Sequence, residues 1–328
     1  MAESILIVSA SLDEHTYGSV KTILEKNNYD VIAYLTDEVL NDISQFNLEI
    51  SKEASLIINY AGRNIHPDRI AAAWYRKLGN YNHNSSEHDL AKKLYLNAEI
   101  GSVHDSVWDL YPKNIWLNSP DSIRKSDRKF AQLLLAKELG FTIPQTILTN
   151  SWETISTQLL SSNTDQAIVK TIRGVISEQN TPKAMYTTPI NHIDIDRLKS
   201  NVSPFPGLYQ PYIEKFREWR VTVVDEKVFP VSIVTLEDAK DDWRKHQLSS
   251  SVEFKIDKFK DEYSVKCINY LGKLGLKYGA FDFIETPDTE LVFLECNPNG
   301  QYMWLEKLLN LPISEAIADS LIQIAKEH

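Results

Sequence analysis

Residues Tyr278–Trp304 read YGAFDFIETPDTELVFLECNPNGQYMW, and the interpretation of the rest of the chain depends on them. Apolar runs at 280–284 and 291–296 flank Thr286–Thr289, a short segment of turn-forming residues. Two apolar runs joined by such a segment indicate two antiparallel strands. The stretch therefore predicts a β-hairpin.

One face of this predicted hairpin is rich in oxygen ligands. Pairing that is symmetric about the turn places Asp282 opposite Glu295, and the two-residue period of a strand adds Asn297 to the same face. The other face is predicted to carry Phe281, Phe283, Leu294 and Cys296. Facing carboxylates repel each other, and two carboxylates with one amide oxygen suit a magnesium ion that leaves room for phosphate oxygens. A solvated polar face of an ordinary hairpin is the alternative, unless other residues supply phosphate-binding groups.

Length and composition limit the class of protein. The chain has 328 residues, enough for about two domains with separate cores. Its 43% hydrophobic and 24% charged residues are typical of a soluble globular protein. A net charge of −10 argues against a nucleic-acid partner, because nucleic-acid affinity depends mainly on lysine and arginine. The N-terminus MAESILIVSA predicts no signal peptide, and the short apolar runs predict no membrane contact.

Several common site motifs are missing from the sequence. Only 11 glycines occur, and no GxGxxG or P-loop motif is present, which argues against the commonest nucleotide sites. No GxSxG, HExxH or CxxC motif is present either, which argues against the commonest hydrolase and zinc sites. The two cysteines, Cys267 and Cys296, form no disulfide framework, so we expect a reducing, cytoplasmic compartment.

Residues 1–115 alternate strand-like and helix-like segments. SILIVSA, DVIAYL, ASLIINY and IAAAWYR read as strands, and Gly18–Asn27 reads as a helix. This alternation predicts a βαβ unit with a largely parallel sheet. A further helix is expected from Ser86 to about Leu110, and the prolines and asparagines between Tyr111 and Pro120 indicate a domain boundary.

Two lysines are candidate anion-binding groups in the middle of the chain. A helix is predicted to begin at the cap Ser126 and to end at Gly140, which makes Lys129 its third residue. A cation there opposes the helix dipole, unless the lysine and the free N–H groups share an anion. Lys170 lies in the strand-like run AIVKTI, where an ammonium either reaches solvent at a sheet edge or meets a buried anion. A solvated lysine is the alternative at both positions.

An arginine in the last third of the chain is a third candidate cation. QPYIEKFREWRVTVV reads as two strands around a charged segment, and Arg220 lies on the second strand. It suits a planar grip on phosphate or carboxylate, with an ordinary salt bridge as the alternative. The charged segment Glu237–Gln247 is expected to form a loop, either over a site or merely solvated. Helices are predicted at Tyr263–Leu274 and from Ile313 to about Lys326.

The order of these features resembles the ATP-grasp ligases, which clasp ATP between two α+β subdomains. A lysine on a helix, a lysine on a strand, a QPYIE segment, an arginine on the next strand and a final D…ECN follow one another as in that superfamily. The resemblance covers about residues 116–312 and implies an α/β and α+β ATP-grasp fold with ATP and Mg²⁺ as cofactors. It implies a pre-grasp βαβ domain at 1–118, a central ATP-grasp subdomain at 119–207 and a C-terminal subdomain with the metal site at 208–328.

The resemblance also implies roles for individual residues. Nucleotide binding is implied for Lys129, Lys170, Gln210, Tyr212, Ile213, Glu214 and Asn297. Magnesium binding is implied for Asp282, Glu295 and Asn297. Arg220 matches the arginine that steadies the transferred phosphoryl group. In the charged loop, Arg244 is a candidate for gripping the substrate carboxylate or acyl phosphate, and His246 for taking a proton from the incoming hydroxyl; bystander residues are the alternative.

Four sequence strings look closest to one branch, the graspetide synthetases that mature microviridin-, plesiocin- and thuringinin-type peptides. They are AAAWYRK at 71–77, WLNSP at 116–120, DWRKHQ at 242–247 and FLECNPNGQYMWLE at 293–306. Enzymes of that branch phosphorylate Asp or Glu side chains of a precursor peptide. They then close the acyl phosphate onto Ser or Thr hydroxyls as macrolactones, or onto a Lys amine as macrolactams. This sequence departs from their pattern at Cys296, where an aliphatic residue is usual, and at Lys77, where arginine is frequent.

The partner that this resemblance implies is a ribosomal precursor peptide with a leader and a core of Ser/Thr and Asp/Glu residues. In that branch the leader docks on the central domain, partly on a helix before the hinge strand. Here that helix is predicted at His192–Ser200, with Asp194 and Asp196 as candidate leader contacts and a solvated helix start as the alternative. A homodimer is a further expectation.

Two other functions fit the same residues. The first is a glutathione-synthetase-like or glutamate-adding ligase, which would join a small carboxylate to an amine at the same ATP site. The second is a binding protein that senses ATP without transferring phosphate. All expected phosphate and metal positions carry competent residue types, which argues against the second function.

Overall fold

The structure is a computed structural model, and it describes residues 4–39, 44–50, 54–77, 90–159, 166–170, 172, 175–178, 181–184, 188–191, 202, 206–235 and 251–328. In chain order, the strands are β1 (Ser4–Ser9), β2 (Asp30–Leu35), β3 (Ser44–Ile50), β4 (Ala54–Tyr60), β5 (Arg63–Ile65), β6 (Ile70–Tyr75), β7 (Ile147–Thr149), β8 (Gln166–Lys170), β9 (Val175–Glu178), β10 (Thr181–Ala184), β11 (Thr188–Asn191), β12 (Gly207–Pro211), β13 (Arg217–Val224), β14 (Lys227–Thr235), β15 (Val252–Ile256), β16 (Tyr278–Glu285) and β17 (Leu291–Asn297). The helices are α1 (Glu14–Lys26), α2 (Leu90–Trp108), α3 (Pro120–Ser126), α4 (Lys129–Glu138), α5 (Trp152–Gln158), α6 (Asp261–Leu274), α7 (Met303–Leu309) and α8 (Ile313–Glu327).

The N-terminal unit is built on a three-stranded parallel sheet in the order β2-β1-β6, which confirms the predicted βαβ unit. Every residue of β1 and β6 is buried, as expected for parallel strands that are covered on both faces. Alternate residues of β1 enter different cores. Ile5 and Ile7 pack with Val20 of α1, whereas Leu6 and Val8 belong to the core that contains Trp108 of α2.

The prediction that Ala54–Tyr60 joins this parallel sheet is wrong. This strand lies in a separate antiparallel sheet, β3-β4-β5. The two residues that follow it, Ala61 and Gly62, have φ values of 48° and 77°. Positive φ at both central residues of a two-residue turn produces a tight hairpin, so the chain reverses directly into β5.

The predicted start of one helix of the first half, at Ser86, lies outside the described residues, and this helix ends at Trp108, close to the predicted Leu110. The next helix begins later than predicted. Ser126 does not cap the next helix but is the last residue of α3, so α4 begins at Lys129. The cause is an earlier helix start, because the Ser119 side chain accepts a hydrogen bond from the Ser122 N–H and proline follows at the first helical position.

The central unit is a four-stranded antiparallel sheet in the order β11-β8-β12-β7. It has its own small core, in which Ile155 of α5 packs with residues of three strands, among them Ala167 and Tyr209. A two-stranded antiparallel sheet of β9 and β10 lies between β8 and β11 in the chain. The predicted boundary at 207/208 falls inside β12, which pairs with this central sheet.

The C-terminal unit is a five-stranded antiparallel sheet in the order β15-β14-β13-β16-β17. The predicted helices at Tyr263–Leu274 and Ile313–Lys326 are confirmed as α6 and α8, with bounds that differ by at most two residues. Ile317 and Leu321 of α8 share a core with Ile5 of β1, so the end of the chain packs against the N-terminal unit. No helix among the described residues is both long enough and apolar enough to cross a membrane.

Candidate active site

The predicted hairpin forms, and its two carboxylates face each other. Asp282 on β16 is paired with Glu295 on β17. The register then shifts by one residue, because a β-bulge pairs Phe283 with Phe293. The prediction that Leu294 faces the core is therefore wrong. Phe293 is fully buried in its place, and Leu294 lines a cleft beside Glu295.

Each carboxylate of the hairpin has its own cation. Nη1 of Arg220, on the neighbouring strand β13, donates to both oxygens of Asp282 at 2.8 and 2.9 Å. Nζ of Lys129 lies 2.9 Å from Oε2 of Glu295. Both partners of the Arg220–Asp282 pair are only 11% exposed, and the Lys129–Glu295 pair is more open to solvent. Two neighbouring ion pairs therefore replace the simple repulsion that the sequence suggested.

Gln132 holds Lys129 in position beside the hairpin. Its Oε1 accepts from the Cys296 N–H at 3.0 Å, and its Nε2 donates to the Cys296 carbonyl oxygen at 2.8 Å and to the Ser126 carbonyl oxygen at 2.7 Å. One buried side chain thus ties the first turn of α4 to β17. Sequence reasoning missed Gln132, because an amide inside a helix gives no local signal of a backbone partner on a distant strand.

A cleft joins the central sheet to the hairpin. It brings together both lysines, the hinge glutamine and one hairpin carboxylate, and its lining consists of Lys129, Gln132, Leu133, Lys170, Leu208, Gln210, Leu294 and Glu295. Lys170 ends β8 and is paired with Leu208 on β12. The two lysines that the sequence singled out therefore lie in one cleft, although they belong to different units of the chain.

The hinge, formed by the end of β12 and the residues that follow it, includes a buried polar group. Gln210 is 2% exposed, and its Nε2 donates to Oγ1 of Thr146 at 2.9 Å. Its Oε1 is buried with no hydrogen-bond partner among the described residues. The Tyr212 N–H donates to the Gln166 carbonyl oxygen, Ile213 is half-buried and Glu214 is exposed. An unpaired buried acceptor is costly unless a ligand donates to it.

The NPNGQ segment begins at Asn297, and the side chains of Asn118 and of Tyr278, at the start of β16, hold it. Nδ2 of Asn118 donates to the carbonyl oxygens of Tyr278 and Pro298 at 2.8 and 2.9 Å, and its Oδ1 accepts from the Tyr278 N–H at 3.1 Å. The Tyr278 hydroxyl donates to the Gly300 carbonyl oxygen at 2.6 Å. Burial raises the pKa of Tyr278 to about 12, so the hydroxyl keeps its proton. The WLNSP and NPNGQ strings, far apart in the sequence, therefore meet at this point.

The residues that the sequence proposed for magnesium fit a hard cation. Asp282 and Glu295 supply carboxylate oxygens, while Asn297 is exposed and its Oδ1 accepts from the Asn299 N–H at 2.9 Å. Within the part of the chain that the structure describes, no group of three or more His, Cys, Asp or Glu side chains could hold a metal ion. A metal here would thus need the amide and phosphate oxygens as well as the two carboxylates, and the assignment stays a prediction.

Four predicted residues lie outside the described residues. They are the loop candidates Arg244 and His246 and the leader candidates Asp194 and Asp196. Cys267 and Cys296 are free thiols inside the core, where burial raises the pKa of both. The thiols are therefore protonated and take no part in the cleft.

Comparison with solved structures finds full-length matches. A RiPP-associated ATP-grasp ligase from Chryseobacterium gregarium, in complex with ADP and a leader and core peptide, superposes with a TM-score of 0.87 at 26% identity, covering 98% of this chain and 97% of that chain. The macrocyclase MdnB from Microcystis aeruginosa MRC matches with a TM-score of 0.77 at 27% identity, covering 98% and 99% of the two chains.

A third structure is the ATP-grasp ligase PsnB, complexed with a phosphomimetic variant of a minimal precursor, Mg and ADP. It matches with a TM-score of 0.77 at 20% identity, and 99% of each chain is covered. No profile of a known protein family matches this chain, and no curated protein is similar to it in sequence. The likeness is therefore one of structure along the whole chain, at low sequence identity.

Proposed function

We propose that this chain, which has the ATP-grasp fold of ligases that modify ribosomally synthesised peptides, is an ATP-dependent, ADP-forming peptide macrocyclase. It activates Asp or Glu side chains of a precursor peptide as acyl phosphates. It then closes them onto Ser or Thr hydroxyls, giving macrolactones, or onto a Lys amine, giving macrolactams. The peptide substrate is supported by the Chryseobacterium gregarium ligase, which was solved with ADP, a leader and a core peptide.

One observation carries this proposal: the cleft joins Lys129 and Lys170 to Glu295, whose strand partner is Asp282. Phosphoryl transfer needs little covalent help from a protein, since it depends on alignment and on neutralising the charge of the phosphate oxygens. Two lysines, one arginine and a magnesium ion supply that charge. An uncharged substrate would leave the charges of these lysines and this arginine without a ligand to neutralise.

Each group of site residues has a separate role in binding ATP and magnesium. Lys129 and Lys170 bind the nucleotide phosphates, and Arg220 steadies the transferred phosphoryl group. Asp282, Glu295 and Asn297 would hold magnesium, which would supply Lewis-acid stabilisation of the charge on the phosphate oxygens. Adenine and ribose bind at the hinge residues Gln210, Tyr212, Ile213 and Glu214, where the buried Oε1 of Gln210 is an acceptor without a partner among the described residues.

The reaction balances in two steps. A carboxylate oxygen of the peptide attacks the γ-phosphorus and ADP leaves. A hydroxyl or amine then attacks the acyl carbon, phosphate leaves, and one proton is released. We assign Arg244 to binding the carboxylate or acyl phosphate, and His246 to accepting the proton of the incoming hydroxyl.

Asp194 and Asp196 are proposed to contact the leader of the precursor. A core of Ser/Thr and Asp/Glu residues and a homodimeric assembly belong to the same proposal.

The division of the chain into units is also a proposal. We retain a pre-grasp domain at 1–118, a central subdomain at 119–207 and a C-terminal subdomain at 208–328. The second boundary cuts β12, which pairs with β7 and β8 of the central sheet. A separately expressed fragment should therefore begin after Pro211 rather than at residue 208.

We expect a reading frame near the gene for this chain to encode a short peptide with repeated Ser/Thr and Asp/Glu clusters, and a peptide of this kind tests the proposal. Purified protein, ATP, Mg²⁺ and this peptide should release ADP, and mass spectrometry should show the loss of one water per ring. Asp282→Asn is the inactive control. ADP release that free amino acids stimulate and the peptide does not would favour a small-molecule ligase. ATP binding without ADP release would favour a sensor.

A further inference from the structure

The segment that follows Asn297 is fixed at four consecutive carbonyl oxygens. Each accepts a hydrogen bond from a side chain outside the segment. The donors are Asn118 to Pro298 at 2.9 Å, Arg76 to Asn299 at 2.6 Å, Tyr278 to Gly300 at 2.6 Å and Arg220 to Gln301 at 3.2 Å. Because each of these backbone carbonyl groups is bound by a side chain, the backbone of the segment is held in one position.

Arg76 is the charged donor that the N-terminal unit contributes. It follows β6, is 1% exposed, and its Nη1 also lies 3.3 Å from the Gly300 carbonyl oxygen. Its Nη2 donates to Oε1 of Gln301 at 2.6 Å, and its Nε lies 3.0 Å from Oδ2 of the buried Asp13. Asp13 neutralises a guanidinium that burial would otherwise make costly. The ion pair therefore holds the planar guanidinium of Arg76 so that its N–H groups donate to the segment.

Gln301 connects this pair to the metal site. Its side chain accepts from Arg76, and its carbonyl oxygen accepts from Arg220, the arginine that pairs with Asp282. The segment packs closely against β16 at Gly300, where an added Cβ would lie 2.4 Å from Cβ of Ala280. A change in the position of the Arg76 side chain would therefore displace the residues at both ends of the segment, Asn297 and Gln301.

We propose that Arg76, neutralised by Asp13, is a positioning residue for the metal site. The N-terminal unit thereby takes part in metal binding without touching the metal. This inference rests on the magnesium site of the proposed function. Arg76 holds the segment so that Asn297 and the Arg220–Asp282 pair keep their places around a divalent cation. Groups that orient metal ligands in this way typically change metal affinity by about 10–100-fold when they are removed.

The test measures binding of Mn²⁺, as the probe, to the full chain with ADP by electron paramagnetic resonance. Arg76→Lys keeps the charge beside Asp13 but loses the fork, and we expect Mn²⁺ affinity to fall about tenfold or more. The matched control is Arg63→Lys, because Arg63 belongs to the same unit and forms an exposed ion pair with Asp30. This control should bind Mn²⁺ as the wild type does.

A second variant guards against misfolding of Arg76→Lys. Gln301→Leu removes the acceptor and leaves the Arg76–Asp13 pair in place. We expect a similar loss of Mn²⁺ affinity. In the protein without nucleotide, hydrogen exchange of the Asn299 and Gly300 amides, which donate to Asn297, should be about tenfold faster.

The outcomes separate the two proposals. If the wild-type chain binds no Mn²⁺ with ADP, the proposed metal site itself is wrong. If the wild type binds Mn²⁺ and both variants keep its affinity and its exchange protection, the positioning role of Arg76 is overturned. Weaker binding in both variants, with Arg63→Lys unchanged, supports it.

Discussion

Asp282→Asn should destabilise the protein as well as abolish turnover. On sequence grounds alone, neutralising one of two facing carboxylates relieves repulsion and leaves stability unchanged or raised. The structure reverses this expectation. Nη1 of Arg220 donates to both oxygens of Asp282, and both side chains are nearly buried. The variant leaves a buried guanidinium facing a neutral amide.

The magnitude follows from this geometry. Breaking a buried ion pair costs about 3–5 kcal/mol, but asparagine still accepts one hydrogen bond, and the Gln301 carbonyl oxygen still accepts from Arg220. We therefore expect a loss of about 2–3 kcal/mol. With an unfolding entropy of roughly 2.1 cal/mol/K per residue, a chain of 328 residues that unfolds as one unit loses about 3–4 °C.

Thermal unfolding of the protein without nucleotide or metal measures this effect. The matched control is the double variant Arg220→Met with Asp282→Leu, which replaces both partners by apolar groups and should recover most of the lost stability without recovering turnover. An Asp282→Asn protein that unfolds at or above the wild-type temperature would refute the account of the pair. Wild-type turnover in that variant would refute the metal assignment.

Three further predictions concern other residues. Lys170→Met and Lys129→Met should each weaken ATP binding at least tenfold by calorimetry, because an ammonium that meets phosphate is lost while a stem of similar length still packs; Lys125→Met, on the exposed Lys125–Asp121 pair, should have no effect. Burial lowers the pKa of His104 to about 4, so its contribution to stability is complete above about pH 6.5 and is lost as the pH falls toward 4. Urea unfolding should show about 2 kcal/mol less stability at pH 5 than at pH 7.5 from this residue, and His104→Gln should remove that part of the pH dependence. Asp194→Ala with Asp196→Ala should reduce ring formation on a peptide that carries a leader and leave ATP affinity unchanged; equal ring formation in both proteins would exclude the two aspartates from leader binding.

The hairpin shows how far the sequence predicts this site. Strand period and turn position were sufficient to bring Asp282 opposite Glu295, because both are local properties of a hairpin. They were not sufficient to place Leu294, because a bulge adds one residue and the sequence contains no glycine or proline there to mark it. The helix break before Lys129 did leave a signal, the Ser119-Pro120 start of α3, which predicts an earlier helix.

The supporting side chains could not be predicted in the same way. Gln132, Asn118 and Arg76 act through backbone atoms of residues that lie more than 150 positions away in the chain. Such contacts depend on how separate units pack, and a single sequence carries no period or spacing that reports them. The AAAWYRK and WLNSP strings indicated a family likeness, but their physical role became clear only from the fold.

The proposed function depends on one chemical step, in which ATP phosphorylates a carboxylate of the peptide. The most direct measurement uses a precursor peptide whose Asp and Glu side-chain carboxylates carry ¹⁸O. We expect each ring formed to transfer one ¹⁸O atom from the peptide to inorganic phosphate, with one ADP released. Ring formation that leaves the phosphate unlabelled, or that places the ¹⁸O in AMP, would contradict it.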